Sequence, residues 1–217
     1  MKAVLLLIAG LWLLILSVAA SFADELMVGK FSGSNLEPWE EKIFSGRTNY
    51  GLAKLQDTLV LKADSYGSAS VLFRKIEVDL TKYPYLNWRW RIEKRLTTEN
   101  EQVKSGDDYA ARIYVIIYGG YLPWRTKAVN YVWANKAEKY QVWPSAFAGR
   151  NSLMVALRNN HDSTSTWYEE KRNVLKDLSD MFGKEYKAIN GIAIMTDTDN
   201  NQDNTIAYYG DIYFSTN

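Results

Sequence analysis

A strict alternation of large apolar and polar residues runs through Leu86-Asn87-Trp88-Arg89-Trp90-Arg91-Ile92. Successive side chains of a β-strand point to opposite faces, so this period of two separates the apolar residues from Asn87, Arg89 and Arg91. The stretch therefore predicts a strand with one buried face, which includes Trp88 and Trp90, and one face in water.

The same period recurs along most of the chain and predicts further strands. They lie at 26–31, 50–55, 58–63, 69–76, 109–118, 129–134, 153–157, 189–195 and 206–214. About ten short strands are typical of two packed antiparallel sheets, so we predict a mainly all-β sandwich.

One segment has a helical period instead, and it predicts a peripheral α-helix over 166–182. Thr166 and Glu169 have the spacing of a capping box, and Gly183 supplies a C-terminal stop. The apolar residues at helical spacing are Val174, Leu178, Met181 and Phe182.

The N-terminus has the pattern of a signal peptide. Lys2 precedes an apolar run over 3–18, and Ser21-Phe22-Ala23 offers small residues at the −3 and −1 positions of a cleavage site. We expect cleavage after Ala23, export to the periplasm or beyond, and one domain over 24–217. An uncleaved anchor is the alternative, but the run is shorter than the roughly 20 residues that a membrane span needs.

Composition excludes several kinds of site and partner. The chain has no cysteine, so disulfides, thiolate zinc sites and cysteine nucleophiles are excluded. Its formal net charge of +1 favours neither nucleic acid nor an anionic membrane, and we expect no stable membrane insertion after cleavage. The chain has a single histidine, His161, and no G-x-S-x-G motif that would supply the serine of a Ser-His-Asp hydrolase site. We therefore interpret His161 as a loop residue.

An acidic segment between the last two predicted strands resembles the first half of a calcium loop. Its oxygen-bearing residues at offsets 1, 3, 5 and 7 are Asp197, Asp199, Asn201 and Asp203. Gln202 replaces the expected glycine and Tyr208 replaces the bidentate glutamate, so the loop is no EF-hand. Two interpretations stay open: a structural calcium site, or a turn whose side chains hydrogen-bond their own backbone.

Polar and aromatic residues recur on the predicted outward faces of several strands. If Ile113, Val115, Ile206, Tyr208, Ile212 and Phe214 point inward, one outward face carries the candidate ligand-binding residues Arg89, Arg91, Arg112, Tyr114, Tyr209 and Asp211. Aromatic faces pack on sugar C–H surfaces, and charged forks take paired hydroxyls. The alternative is that Arg112 and Asp211 form a structural ion pair.

Two tryptophans lie beside prolines in predicted loops, Trp124 after Pro123 and Trp143 before Pro144. Because a loop gives a large ring little core to pack against, both are candidate ligand-stacking residues.

Several short motifs occur together in a characteristic order. They are Trp88-Arg89-Trp90, Gly106-Asp107-Asp108-Tyr109-Ala110-Ala111-Arg112, Tyr131-Val132-Trp133, Trp167 with Glu170, Arg172-Asn173-Val174, Phe182-Gly183, Thr196-Asp197-Thr198-Asp199-Asn200 and Tyr209-Gly210-Asp211. In this combination the chain, from about Phe31 to Phe214, resembles the bacterial exported domain-of-unknown-function family 3047. The resemblance implies a single exported domain and transfers no catalytic role. In its general pattern the chain is similar to jelly-roll carbohydrate-binding modules, and this similarity implies a jelly-roll-like sandwich.

Two functional hypotheses follow. The first is a non-catalytic module that binds a glycan or a similar polar ligand. The alternative is a glycan-processing lyase or hydrolase on the same scaffold, with acid and base drawn from Asp107, Asp108, Arg112, Tyr114, Asp211 or Glu170.

Overall fold

The computed structural model describes residues 24–217, so the predicted signal peptide lies outside the described residues. In chain order the elements are β1 (Glu25–Gly29), β2 (Glu40–Ser45), β3 (Asn49–Leu55), β4 (Thr58–Tyr66), β5 (Ala69–Asp79), β6 (Tyr85–Ile92), β7 (Arg112–Ile117), β8 (Lys127–Trp133), β9 (Val142–Ser145), β10 (Gly149–Arg158), β11 (Tyr168–Asn173), α1 (Val174–Phe182), β12 (Ala188–Met195), β13 (Asn204–Tyr209) and β14 (Ile212–Ser215).

The strands form two seven-stranded sheets. The first has the order β1-β14-β6-β13-β4-β3, with β11 on the other edge of β6, and the second has the order β2-β5-β12-β7-β8-β10-β9. All pairs are antiparallel except β8 with β10. In the first sheet, β14 pairs with the start of β6 and β13 with its end, so β6 holds the two halves of that sheet together.

The core lies between the sheets and is rich in aromatic rings. Trp88 stacks on Tyr131 of the facing sheet with ring centroids 5.4 Å apart, and Trp90 lies 6.1 Å from Trp133. All four rings are buried, which confirms the inward phase of β6. Such pairs add about 0.5–1.5 kcal/mol each beyond the burial of their area.

The predicted strand over 206–214 is wrong in two respects, its continuity and part of its phase. The segment 206–214 is two strands, because the chain breaks at Gly210, and the two strands have different phases. In β13, Ala207 and Tyr209 are buried while Ile206 and Tyr208 are partly exposed, the reverse of the prediction. In β14, Ile212 and Phe214 point inward as predicted.

The helix is half as long as predicted. The segment 168–173 is strand β11, which pairs along β6, because an available strand edge outweighs a weak helical pattern. The helix begins after Asn173, whose side chain accepts a hydrogen bond from the amide of Lys176, so the Thr166 cap was wrong. It ends at Gly183, which has the positive φ of 63° expected of a C-terminal glycine.

No helix within residues 24–217 is long and apolar enough to cross a membrane.

Candidate ligand-binding cleft

A cleft of about 470 Å³ lies on the outer face of the second sheet, away from the core. Ile113 and Val115 of β7 face the core, so the alternating Arg112 and Tyr114 face outward into this cleft. Its lining residues are Phe44, Ser45, Ala69, Asp107, Arg112, Tyr114, Asn130, Ser145, Phe147, Ala148, Ser152, Met195, Asp197, Asp199 and Asn200.

Arg112 lies at the centre of the cleft floor and is only 4% exposed. Its Nη2 donates to Asp197 Oδ2 over 2.5 Å and to the carbonyl of Asp107 over 3.2 Å. Its Nη1 donates to the Tyr114 hydroxyl over 2.9 Å, and the guanidinium lies 4.4 Å from the ring centre of Tyr109. The group is thereby fixed in one orientation.

The segment before β7 delivers two carboxylates, Asp107 and Asp108, to one end of the cleft. Gly106 makes this path possible, because a Cβ there would lie 2.2 Å from the carbonyl oxygen of Asn100. Asp108 Oδ2 accepts hydrogen bonds from the amide and the side chain of Asn201, which ties the acidic loop to this segment. The two acidic segments of the sequence therefore meet.

Three buried polar atoms of the floor have no hydrogen-bond partner within residues 24–217. They are Asp107 Oδ1, Arg112 Nε and Asn130 Oδ1, and each belongs to a residue that lines the cleft. The other unpartnered buried side-chain atoms of the described residues are tryptophan indole nitrogens. Unpaired buried polar atoms cost about 1–3 kcal/mol each, and this floor concentrates hydrogen-bonding capacity that no described residue satisfies.

Burial raises the pKa of Asp107, Asp108 and Asp197 above the ordinary aspartate value. For Asp197, the attraction of Arg112 opposes this rise, and the neighbouring Asp107 and Asp108 add to it. The cleft floor therefore holds carboxyl groups that keep their protons to higher pH than exposed ones.

Two exposed rings form the walls of the cleft. Phe44 of β2 is 59% exposed and Phe147, in the turn between β9 and β10, is 61% exposed. Tyr114 and Met195 add apolar surface to the floor between them. A planar apolar ligand surface can pack against these rings while its polar edge faces the floor.

The structure revises the predicted calcium ligands. Asp197 and Asp199 lie together with Asp108, with one carboxylate oxygen from each within 4.8 Å of the others. Asn201 instead donates its side-chain amide to Asp108, and Asp203 pairs with Lys94 over 2.5 Å. Asp203 therefore lies apart from this group of carboxylates, Asn201 contacts it through Asp108, and calcium binding itself stays a prediction.

The predicted single ligand face is also wrong, because its residues lie on two different sheets. Arg89 and Arg91 point outward from the first sheet, where Arg89 stacks on Trp167 and Arg91 pairs with Glu93. Only Arg112 and Tyr114 belong to the cleft.

The two remaining residues of that face have structural contacts. Tyr209 is fully buried, and its hydroxyl donates to the carbonyl of Met195. Asp211 accepts hydrogen bonds from the amide and hydroxyl of Ser32, so it is not the partner of Arg112. The Arg112–Asp211 pair was therefore wrong as well.

The two proline-flanked tryptophans differ. Trp143 lies in β9 and is buried against Tyr109 and Met154, so its prediction as an exposed stacking residue is wrong. Trp124 is 69% exposed, as expected, but it is not among the residues that line the cleft.

Sequence reasoning missed Phe44, Asn130 and Phe147. Asn130 had a usable signal, because it is the polar outward residue within the apolar stretch Val129-Asn130-Tyr131-Val132-Trp133. Phe44 and Phe147 had none, since a single phenylalanine beside polar residues has the same sequence pattern whether it is buried or exposed.

Two solved structures resemble this fold over nearly its whole length. The family 11 carbohydrate-binding module of the cellulosomal cellulase Lic26A-Cel5E of Clostridium thermocellum has a TM-score of 0.51 at 9% identity, over 91% of this chain and 97% of that one. The endoglucanase cel12A of Rhodothermus marinus has a TM-score of 0.50 at 8% identity, over 88% and 99%. At these identities the likeness shows the fold alone, and it confirms the jelly-roll-like β-sandwich.

A search of curated proteins finds no relative of this sequence. A family model, described as protein of unknown function DUF3047, matches residues 37–213, nearly all of the sandwich. The match covers β2 through the first half of β14, including both acidic segments and every residue that lines the cleft. The chain belongs to this family, DUF3047.

Proposed function

We propose that this protein binds a glycan in the cleft of the second sheet and does so without catalysis. The observation that carries the proposal is the pairing of the exposed rings of Phe44 and Phe147 with a floor of buried, unpartnered polar atoms. Sugar rings present apolar C–H faces and a polar edge of hydroxyls, so they match both parts of such a cleft.

The preformed geometry of the floor supports the proposal. Arg112 is held by Asp197, Tyr114 and the carbonyl of Asp107, so it would lose little conformational entropy when a ligand binds. The fold of a family 11 carbohydrate-binding module is compatible with this function. That likeness is one of fold alone.

The first experiment is a glycan array probed with purified protein comprising residues 24–217, followed by titration of the ligands found. Phe44→Ala and Phe147→Ala should each weaken binding about threefold to tenfold, the effect of one aromatic contact. Tyr121→Ala is the matched control, because Tyr121 is fully exposed and outside the cleft. Absence of any glycan ligand, or binding unchanged in both phenylalanine variants, would contradict the proposal.

A glycan-processing enzyme is the second candidate, and the carboxyl groups of the floor favour it. Asp107 and Asp197 have raised pKa values through burial and lie beside Arg112, near Tyr114. Asp211 and Glu170, also predicted as acid or base, lie outside this cleft and line a separate one against the first sheet. Glu170 accepts hydrogen bonds from Trp90 of β6 and from Arg158 of β10. Mass spectrometry of each bound glycan after long incubation decides: products that disappear in Asp107→Asn would favour the enzyme.

A further inference from the structure

The charges of the cleft restrict which glycan it can take. We infer, on the basis of the glycan-binding function proposed above, that the cleft selects sugars rich in hydrogen-bond donors, hydroxyl or ammonium, and rejects sugars that carry carboxylate or sulfate. This preference differs from the acidic-sugar recognition that arginine residues by themselves would indicate.

The charged groups of the cleft floor are mostly acidic. Asp107, Asp197 and Asp199 line the cleft, Asp108 lies against Asp197 and Asp199, and Arg112 is the single cation among the lining residues. The Arg112 guanidinium is already 2.5 Å from Asp197. Asp107, Asp108 and Asp199 alone outnumber Arg112, so an incoming carboxylate would meet more negative than positive charge even where Asp197 keeps its proton.

Two lysines at the rim oppose this effect but do not outweigh it. Lys42 lies 5.3 Å from the Phe44 ring centre and Lys104 lies 5.5 Å from that of Phe147. Both lysines are exposed, and water and salt screen exposed charges strongly. The aspartates of the floor are buried or half-buried, where charge interactions are several times stronger.

The unpartnered atoms of the floor point to the same ligand class. Asp107 Oδ1 and Asn130 Oδ1 are acceptors, and Arg112 Nε is the one donor among the three. The orientation of the Asn130 amide follows from its contacts, because its nitrogen donates to Ser152 Oγ and to the carbonyl of Leu153, which cannot donate in return. More acceptors than donors require a ligand that supplies O–H or N–H groups.

Asp199 is the group through which this selection can be tested. Asp199 lines the cleft, and its carboxylate makes no hydrogen bond or ion pair with any of the described residues 24–217. By contrast, Asp203 in the same loop is bound to Lys94 and lies outside the cleft. Asp203→Asn is therefore a matched control for Asp199→Asn.

The experiment uses β-1,4-linked hexasaccharides of glucose, glucosamine and glucuronate, which share a backbone and differ in charge. Calorimetric titration of residues 24–217 in chelator should show binding of the glucosamine and glucose hexamers and none of the glucuronate hexamer. Asp199→Asn should lower the affinity for the glucosamine hexamer about tenfold, the effect of one charge-assisted contact. Asp203→Asn should leave that affinity unchanged. The glycan array extends the test to other backbones, where the ligands should be neutral or amine-bearing.

Failure of the inference is distinguishable from failure of the proposed function. Acidic glycans as the tightest ligands in chelator would overturn the inference and leave glycan binding intact. Acidic glycans that bind only when calcium is added would overturn it too, and would assign Asp108, Asp197 and Asp199 to a metal ion. No glycan ligand of any charge would overturn both.

Discussion

Arg112 and Asp197 form a buried ion pair on which the cleft floor depends. Both side chains are almost completely buried, and their closest atoms are 2.5 Å apart. When one partner of such a pair is removed, the other remains as an uncompensated buried charge, which costs about 3–5 kcal/mol. Arg112 is therefore a structural residue as well as a candidate ligand contact.

A double-mutant cycle tests which carboxylate is the partner of Arg112. Arg112→Gln and Asp197→Asn should each lower the free energy of unfolding and should couple by more than about 1 kcal/mol, because they share one contact. Arg112→Gln with Asp211→Asn should be additive within about 0.5 kcal/mol, because Asp211 contacts Ser32 instead. Urea unfolding of the single and double variants gives both values, and coupling to Asp211 alone would contradict the geometry.

At the scale of elements, β11 and α1 meet at a single residue, Asn173. It is the last residue of the strand, and its side chain accepts the amide hydrogen of Lys176 over 2.9 Å at the start of the helix. A capping side chain satisfies one of the amides that the first helical turn leaves unpaired. The strand-to-helix transition is therefore encoded at Asn173.

Asn173→Ala should lower the free energy of unfolding by about 1 kcal/mol, since it removes that cap. The matched control is Thr166→Ala, because among residues 24–217 the Thr166 hydroxyl hydrogen-bonds only to the nearby carbonyl of Thr164 and should contribute little. Chemical denaturation of both variants checks the difference. A larger loss for Thr166→Ala would indicate that the helix begins earlier.

For the whole molecule, Asp162 joins the end of β10 and the loop that follows it to the loop before β9, which carries Lys139. It accepts hydrogen bonds from Lys139 over 2.7 Å and from the amide of Asn159 over 3.0 Å, and it lies 3.5 Å from Arg158. Burial alone would raise the pKa of Asp162, but these contacts outweigh it and hold the pKa below the ordinary value of 3.8. Its ionised form is thus favoured by folding.

The sign of the pH dependence follows from that lowered pKa. The stabilisation by Asp162 is complete above about pH 4 to 5 and is lost as the pH falls through its pKa in the folded state. Asp162→Asn should lower the free energy of unfolding by about 1.5–3 kcal/mol at pH 7 and by less at pH 3. Urea unfolding at both pH values measures the difference. Asp57→Asn, at a side chain 95% exposed, is the control. A cost that stays equal at both pH values would exclude the ionic contribution.

Export concerns the chain as a whole, and we propose it from residues 1–23. The apolar run and the Ser21-Phe22-Ala23 site predict a mature protein that begins at Asp24. N-terminal sequencing of protein from the periplasmic fraction should therefore begin at or near Asp24. Recovery of cytosolic protein with Met1 intact would contradict the proposal.

The sequence by itself determined the sandwich and the phase of β6, β7 and β14. Alternation along β6 placed Trp88 and Trp90 in the core, and alternation along β7 placed Arg112 and Tyr114 on the outer face. These predictions succeeded because the period of a strand is a local property of the backbone. Where glycine interrupts the strand, as at Gly210, the phase is lost and Tyr209 was misplaced.

Only the tertiary structure decided which residues meet. Arg112 and Asp197 are 85 positions apart in the sequence, and they are neighbours because β7 and β12 pair in a register that sets Arg112 opposite Met195. Likewise, the contact of Asp108 with Asn201 depends on the fold between two distant loops. Strand register and sheet order arise from packing across the whole core, which alternation along one strand does not encode. The cleft and its charge are therefore properties of the folded molecule.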